Sequence, residues 1–209
     1  ENYQYVPAAT YAENDSRMFY EFATRALAIP PDQIRLVYGK GATRAKILKV
    51  FSNWIKSFSD NQKLEVFVFY SGHGLSEADG SDAYFLPVDG DPAILRDTAI
   101  SRKRVLQDLD SIDAKSVTLF LDTSYSGVTR NGDAIVSAQR PIVITPTGWQ
   151  GVASNVSVLA ASSKSETSTS LDEREHGLFS YFLMRALNGE ADKMPTGNQD
   201  GTITLQEIL

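Results

Sequence analysis

The sequence predicts an α/β domain built on a mostly parallel central sheet, flanked by helices on both faces. Three observations lead there. Four apolar runs have the length of strands and are near-continuous rather than alternating, as in strands buried on both faces. Segments with helical periodicity separate these runs, the alternating order that builds parallel sheets. The most suggestive polar segments directly follow two of the runs, and in open parallel sheets functional groups collect beyond the carboxyl ends of strands.

The elements follow in order. Asn14 and Asp15 are placed to cap a first helix, whose apolar side would use Met18, Phe22 and Ala26, or Phe19, Ala23 and Leu27. Pro30 and Pro31 stop it. Ile34 to Tyr38 reads as a strand and Gly39 to Gly41 as a turn. Ile47, Val50, Phe51, Trp54, Ile55 and Phe58 recur at steps of three and one, marking one face of a second helix. Val66 to Tyr70 is a strand that ends in Ser71-Gly72-His73-Gly74. A polar loop from Glu77 to Asp82 and a short apolar run from Tyr84 to Val88 come next.

Ser101 is placed to cap a helix carrying Val105, Leu106, Leu109 and Ile112. Val117 to Leu121 is another buried strand, ending in Asp122-Thr123-Ser124-Tyr125-Ser126-Gly127. Residues 128–153 lack periodicity, apart from a short candidate strand at Ile142 to Ile144, and loops of that length are commonly functional or disordered. Val156 to Ala161 is a further strand, followed by a Ser/Thr-rich loop to Ser170. Leu178, Phe179, Phe182, Leu183, Ala186 and Leu187 form a last helix, closed by Asn188-Gly189.

Composition limits the function. The 209 residues suit one domain with a substantial core, and neither a repeat nor a second domain is visible. With 42% hydrophobic and 22% charged residues, the chain has the balance of a globular protein, not of a disordered tail. A net charge of −6 without a basic block argues against nucleic acid as a partner. No apolar run has the length of a membrane span, and no secretory leader is visible. The absence of cysteine excludes disulfides and thiolate metal sites and assigns no compartment.

Two segments carry chemistry. His73 lies between two glycines at the end of a buried strand. An imidazole there can take a proton from a nucleophile and return it to a leaving amine, or can be a satisfied structural histidine. Ser124 follows another buried strand, so both groups can share one rim of the sheet. A hydroxyl beside an imidazole is a minimal nucleophile and base, and the N–H groups of Gly74 and Ser124 could hold an oxyanion. Ser124 can also be read as a turn serine bonded to its own backbone.

Tyr70-Ser71-Gly72-His73-Gly74 followed by Leu121-Asp122-Thr123-Ser124-Tyr125-Ser126-Gly127 closely resembles the paired motifs of caspases, metacaspases and their bacterial relatives. In those families the first motif holds the catalytic histidine, and the second holds cysteine where this chain has Ser124. The likeness extends to Glu1-Asn2-Tyr3, Tyr11 to Asp15, Tyr84 to Asp89 and His176 to Ser180. It implies the caspase-like (caspase-hemoglobinase) fold and a cysteine-type endopeptidase acting on protein or peptide substrates. It further implies one peptidase domain over residues 1–209, lacking the family's first strand and ending inside a helix that has barely begun. His73 would be the general base and acid, with the Gly74 and Ser124 amides holding the oxyanion.

The resemblance also bears on specificity. Caspases proper bind an aspartate side chain with arginines, whereas metacaspases and paracaspases bind arginine or lysine with acidic residues. By resemblance Asp15, Ser71 and Asp122 occupy the metacaspase pocket positions, with Ala12 where that branch often has cysteine. Two carboxylates suit a guanidinium with several donors. From the residues alone, Asp15 would cap a helix and Asp122 would make a strand-end hydrogen bond. Family members often cut themselves in the loop equivalent to 128–153, where Arg130 and Arg140 are the candidate sites.

Ser124 is the main departure. A thiol with a pKa of about 8.5 ionises readily beside an imidazole. A serine hydroxyl is far less acidic, and serine proteases orient the base with a carboxylate that is not evident here. Either a cysteine has been changed to serine in an otherwise intact motif set, the favoured reading, or the chain is a natural pseudo-protease that binds peptides or scaffolds a complex. An active serine variant is the third reading.

No metal or cofactor is assigned. Calcium, which some metacaspases need, is the one the resemblance allows: Asp79, Asp82, Asp89, Asp91 and Asp97 are close in sequence, but the adjacent acidic pair expected near Asp97-Thr98 is absent. Thr196 to Glu207 imitates an EF-hand loop with threonine in first position. A turn at Asp200-Gly201 with a Thr204/Glu207 capping box explains the same residues.

Overall fold

A computed structural model describes residues 2–58, 64–77, 82–123, 125, 153–161, 169–193, 195 and 197–208. The first half of the chain forms α1 (Ala12–Arg25), α2 (Arg44–Lys49), β1 (Glu65–Ser71), β2 (Gly74–Ser76), β3 (Ala83–Phe85) and α3 (Leu95–Thr98). The second half forms β4 (Ile100–Ser101), α4 (Arg102–Asp110), β5 (Ser116–Asp122), β6 (Val156–Ala160), β7 (Ser170–Leu171) and β8 (His176–Gly177). Helices α5 (Leu178–Arg185), α6 (Ala191–Lys193) and α7 (Leu205–Ile208) complete it. The central sheet has the order β1-β5-β6 with both pairings parallel. Strands β2, β3 and β4 form a small antiparallel sheet, and β7 and β8 a hairpin.

Strand alternation fills two cores. On one face Val117, Leu119 and Leu121 of β5 pack with Phe51, Ile55, and Val105 and Leu109 of α4. On the other, Phe120 packs with Phe19 and Phe22 of α1, Leu159 of β6, and Leu183 and Met184 of α5. Phe69 of β1 stacks on Phe19 with ring centroids 4.8 Å apart. Leu119 and Leu121 are completely buried, and each such side chain contributes roughly 1.5–3 kcal/mol. Helices thus cover both faces of a parallel sheet, which is the predicted α/β class.

Several elements differ from expectation. α1 begins at Ala12, after Tyr11 in the left-handed region (φ 67°), so Asn14 and Asp15 lie inside the first turn instead of capping it. Ile34 to Tyr38 joins no strand among the described residues. It lines an apolar cavity of about 550 Å³ whose other wall includes Phe67 and Phe69 of β1, so Ile34, Leu36 and Val37 are half-buried without a ladder, while Tyr38 is exposed. The second helix is α-helical only to Lys49 and continues as a wide turn (Val50–Trp54) and a tight one (Ile55–Phe58), still burying Phe51 and Ile55. The run from Tyr84 to Val88 is a strand only through Phe85, although Leu86 and Val88 are buried.

Other signals correspond to local structure. Ser101 accepts the Arg104 N–H at 3.1 Å and caps α4. Gly189, with φ 102°, supplies the left-handed residue in the wide turn that ends the α5 run. Thr204 and Glu207 form the reciprocal capping box, with the Thr204 N–H 2.8 Å from Glu207. That N–H holds the Glu207 carboxyl below its ordinary range. Ile142 to Ile144 lie outside the described residues. Among the described residues no helix is long and apolar enough to cross a membrane.

Candidate active site

Strands β1 and β5 end together. Ser71 is the register partner of Asp122, and the Gly72 N–H donates to the Asp122 carbonyl at 3.3 Å. Parallel pairing therefore brings the segments beyond both strands onto one rim.

The backbone of His73 is held from three sides. Its N–H donates to the Tyr3 hydroxyl at 3.0 Å, and its carbonyl accepts from the Tyr70 hydroxyl at 2.7 Å and the Leu86 N–H at 3.0 Å. Burial pushes the Tyr70 phenol well above its ordinary range, which keeps it a donor. A Cβ on Gly72 would stand 2.6 Å from the Tyr3 hydroxyl, so this approach requires glycine. The imidazole is buried against the Tyr3 ring, centroids 4.6 Å apart. Its Nε2 lies 2.8 Å from the Pro7 carbonyl oxygen. A carbonyl can only accept, so Nε2 carries the hydrogen and a neutral ring keeps its basic lone pair on Nδ1.

Gly74 opens β2 opposite Phe85. One step earlier the Leu86 N–H bonds the His73 carbonyl. By the alternation of an antiparallel ladder, Gly74 and Phe85 are then a non-bonded pair, and the Gly74 N–H is directed away from β3. A Cβ at Gly74 would lie 2.7 Å from the Thr123 hydroxyl and from the Tyr125 ring. The residues on either side of Ser124 therefore both pack on Gly74. Tyr125 also accepts a hydrogen bond from Ser76 on its carbonyl at 3.3 Å, and burial pushes its phenol upward. Ser124, Arg130 and Arg140 themselves lie outside the described residues.

The expected pocket residues meet beside this rim. Asp15 and Asp122 are both 0% exposed. Asp15 Oδ2 accepts from the Ser71 hydroxyl at 2.8 Å, and Oδ1 accepts from the Gly177 N–H and from His176 Nδ1, both at 3.0 Å. Asp122 Oδ2 accepts from the Ser180 N–H at 3.1 Å and its hydroxyl at 2.5 Å. A buried carboxylate is costly unless its oxygens are bonded. Gly177 and Ser180 flank and open α5, so the positive end of that helix faces both acids. Asp15 therefore does not act as a helix cap, whereas Asp122 does make a strand-end hydrogen bond.

Five contributors had no assigned role in the sequence: Tyr3, Pro7, Tyr70, His176 and Ser180. Pro7 acts through its carbonyl, which no side-chain pattern reveals. His176 is one of only two histidines and stands in a segment that carries the family likeness, a signal that was present.

Among the described residues no group of three or more His, Cys, Asp or Glu side chains could hold a metal ion. Asp89 accepts the Arg44 N–H, Asp91 the Ala93 N–H and Asp82 the Ala83 N–H, while Asp79 and Thr196 lie outside the described residues. In the EF-hand-like segment, Glu207 bonds Thr204 and the Asn198 N–H, and Asp200 accepts the Thr202 N–H.

No curated protein matches the chain. The family model of the caspase domain matches residues 1–208. With that match over nearly its whole length, and an α/β sheet whose strand ends gather the motif residues, the chain belongs to the caspase-domain family of peptidases.

Proposed function

We propose that the parent activity is endopeptidase cleavage after arginine or lysine, in the manner of the metacaspase branch, with a His73–cysteine dyad whose cysteine is replaced here by Ser124. The observation that carries the specificity is the pair of fully buried carboxylates, Asp15 and Asp122, linked through Ser71 at the strand ends. Buried acids bonded to amides, hydroxyls and an imidazole create a strongly negative site, suited to a guanidinium or ammonium.

His73 is the general base and acid of this reading. Its Nε2–H bond to Pro7 leaves Nδ1 to accept the nucleophile's proton, and the Pro7 carbonyl dipole stabilises the imidazolium that results. The thiolate adds to the scissile carbonyl, and the Gly74 and Ser124 amides hold the oxyanion. His73 then protonates the leaving amine, and water releases the acyl group. The packing of Thr123 and Tyr125 on Gly74 supports pairing position 124 with this rim. A serine hydroxyl ionises far less readily than a thiol, and a neutral carbonyl behind the imidazole offers less help than a carboxylate. The Ser124 form is therefore expected to be nearly inactive.

Specificity tests this reading. In a Ser124→Cys background, fluorogenic peptides ending in Arg or Lys should be cleaved and those ending in Asp should not; preference for Asp would contradict the pocket assignment. Ser124 as it stands also favours one alternative, a natural pseudo-protease that binds peptides through the same pocket. That protein would bind the Arg peptide yet gain no turnover from cysteine.

A further inference from the structure

Asp15 relies on a donor to which the arginine-pocket reading gives no role. Its Oδ1 lies 3.0 Å from His176 Nδ1, and because a carboxylate only accepts, that nitrogen carries the hydrogen. The ring is brought there by a forced turn. Glu175 has left-handed backbone (φ 56°), and its carbonyl accepts from the Asn14 side chain at 3.1 Å. His176 pairs with Leu171 across the β7-β8 hairpin. Asn14 and Asp15, consecutive on α1, thus grip the consecutive residues Glu175, His176 and Gly177. The His176 side chain is 21% exposed while that of Asp15 is 0% exposed, so the imidazole reaches from the buried acid toward the surface.

With two donors on Oδ1 and the Ser71 hydroxyl on Oδ2, the carboxylate plane is fixed. Removing the Nδ1–H would take one of these donors from a buried oxygen and loosen the orientation of the carboxylate. We propose that His176 is a specificity-determining positioning residue, whose Nδ1–H keeps the Asp15 carboxylate oriented to receive a cationic side chain. The proposal rests on the arginine-pocket reading above, and its test separates the two.

The test is binding to the chain as it stands, by fluorescence anisotropy, of a labelled peptide with a single arginine and of its citrulline twin, which has the same shape without the charge. His176→Asn places an amide N–H near the position of Nδ1; His176→Gln places it near Nε2 instead, and His176→Leu supplies none. Loss of a hydrogen bond to a charged group predicts about tenfold to a hundredfold weaker binding of the arginine peptide by the Gln and Leu chains. The Asn chain should bind it like the parent, and citrulline binding should change little in any chain. Thermal unfolding identifies which of the Gln and Leu chains is folded, and either one suffices. Arginine binding unchanged by Gln or Leu, or lost equally with Asn, would overturn the role of His176. If the parent does not prefer arginine over citrulline, the pocket reading itself fails and the proposal fails with it.

Discussion

The carbonyl oxygen of Pro7 lies 2.8 Å from Nε2 of His73. This contact sets the tautomer of the candidate base, turns Nδ1 into its acceptor and gives the imidazolium a dipole to face. The same segment supplies Tyr3, whose hydroxyl accepts the His73 N–H. The stretch between Tyr3 and Pro7 therefore belongs to the site through its main chain and one ring, alongside the two strand-end motifs.

Gly74→Ala is the simplest probe of how tightly the rim is packed. The added methyl would meet Thr123 and Tyr125 at 2.7 Å in a buried place. Overpacking of this kind typically costs about 1–3 kcal/mol. For a chain of this size that lowers Tm by roughly 2–4 °C for each kcal/mol. In the Ser124→Cys background kcat should fall as well, because the displaced segment flanks the nucleophile position. Calorimetry and peptide turnover check both; an unchanged Tm would mean that the rim gives way easily.

Asp122→Asn addresses the acid pair. In the cysteine background it should lower kcat/KM for an Arg-ending peptide by an amount equivalent to about 2–5 kcal/mol, the usual effect of removing one partner of a desolvated charge pair. Ser180→Ala, which removes the 2.5 Å hydroxyl bond to Asp122, should cost about 1–3 kcal/mol of stability in denaturant titration. Unimpaired turnover in the Asn variant would remove Asp122 from the pocket.

Much of the fold was legible because burial on both faces writes itself as continuous apolar runs: Val66 to Tyr70, Val117 to Leu121 and Val156 to Ala160 all lie in the parallel sheet. Ile34 to Tyr38 has a similar composition yet joins no ladder among the described residues, since β-type side chains signal a half-buried surface and not a pairing partner. The start of α1 was illegible because Tyr11 enters it in a left-handed conformation without a capping side chain. In the site, His73, Asp15 and Asp122 are acidic or basic side chains in recognisable motifs. Pro7 contributes a carbonyl that every residue has and leaves no trace until the chain is folded, whereas Ser180 ends a segment that carries the family likeness but has a hydroxyl of the commonest kind, which marks no role.

Arg130 and Arg140 bear on autoprocessing. The cysteine form should cut itself after one of them, and the Ser124 form should stay whole. Intact-mass spectrometry of both purified proteins decides, and fragments arising only elsewhere, or none, would remove residues 128–153 from the mechanism.

Turnover of an Arg-ending peptide by four proteins tests the central claim most directly: the chain as it stands, Ser124→Cys, and each of these with His73→Ala. A sulfur nucleophile needs no carboxylate behind the imidazole, so cysteine alone should convert a nearly inert protein into a peptidase. His73→Ala should abolish that gain, because base and nucleophile act as a unit. The cysteine variant should first be shown folded, then assayed with and without calcium. A folded Ser124→Cys protein no faster than the His73→Ala controls in either condition would contradict the enzyme reading and leave the peptide-binding module in its place.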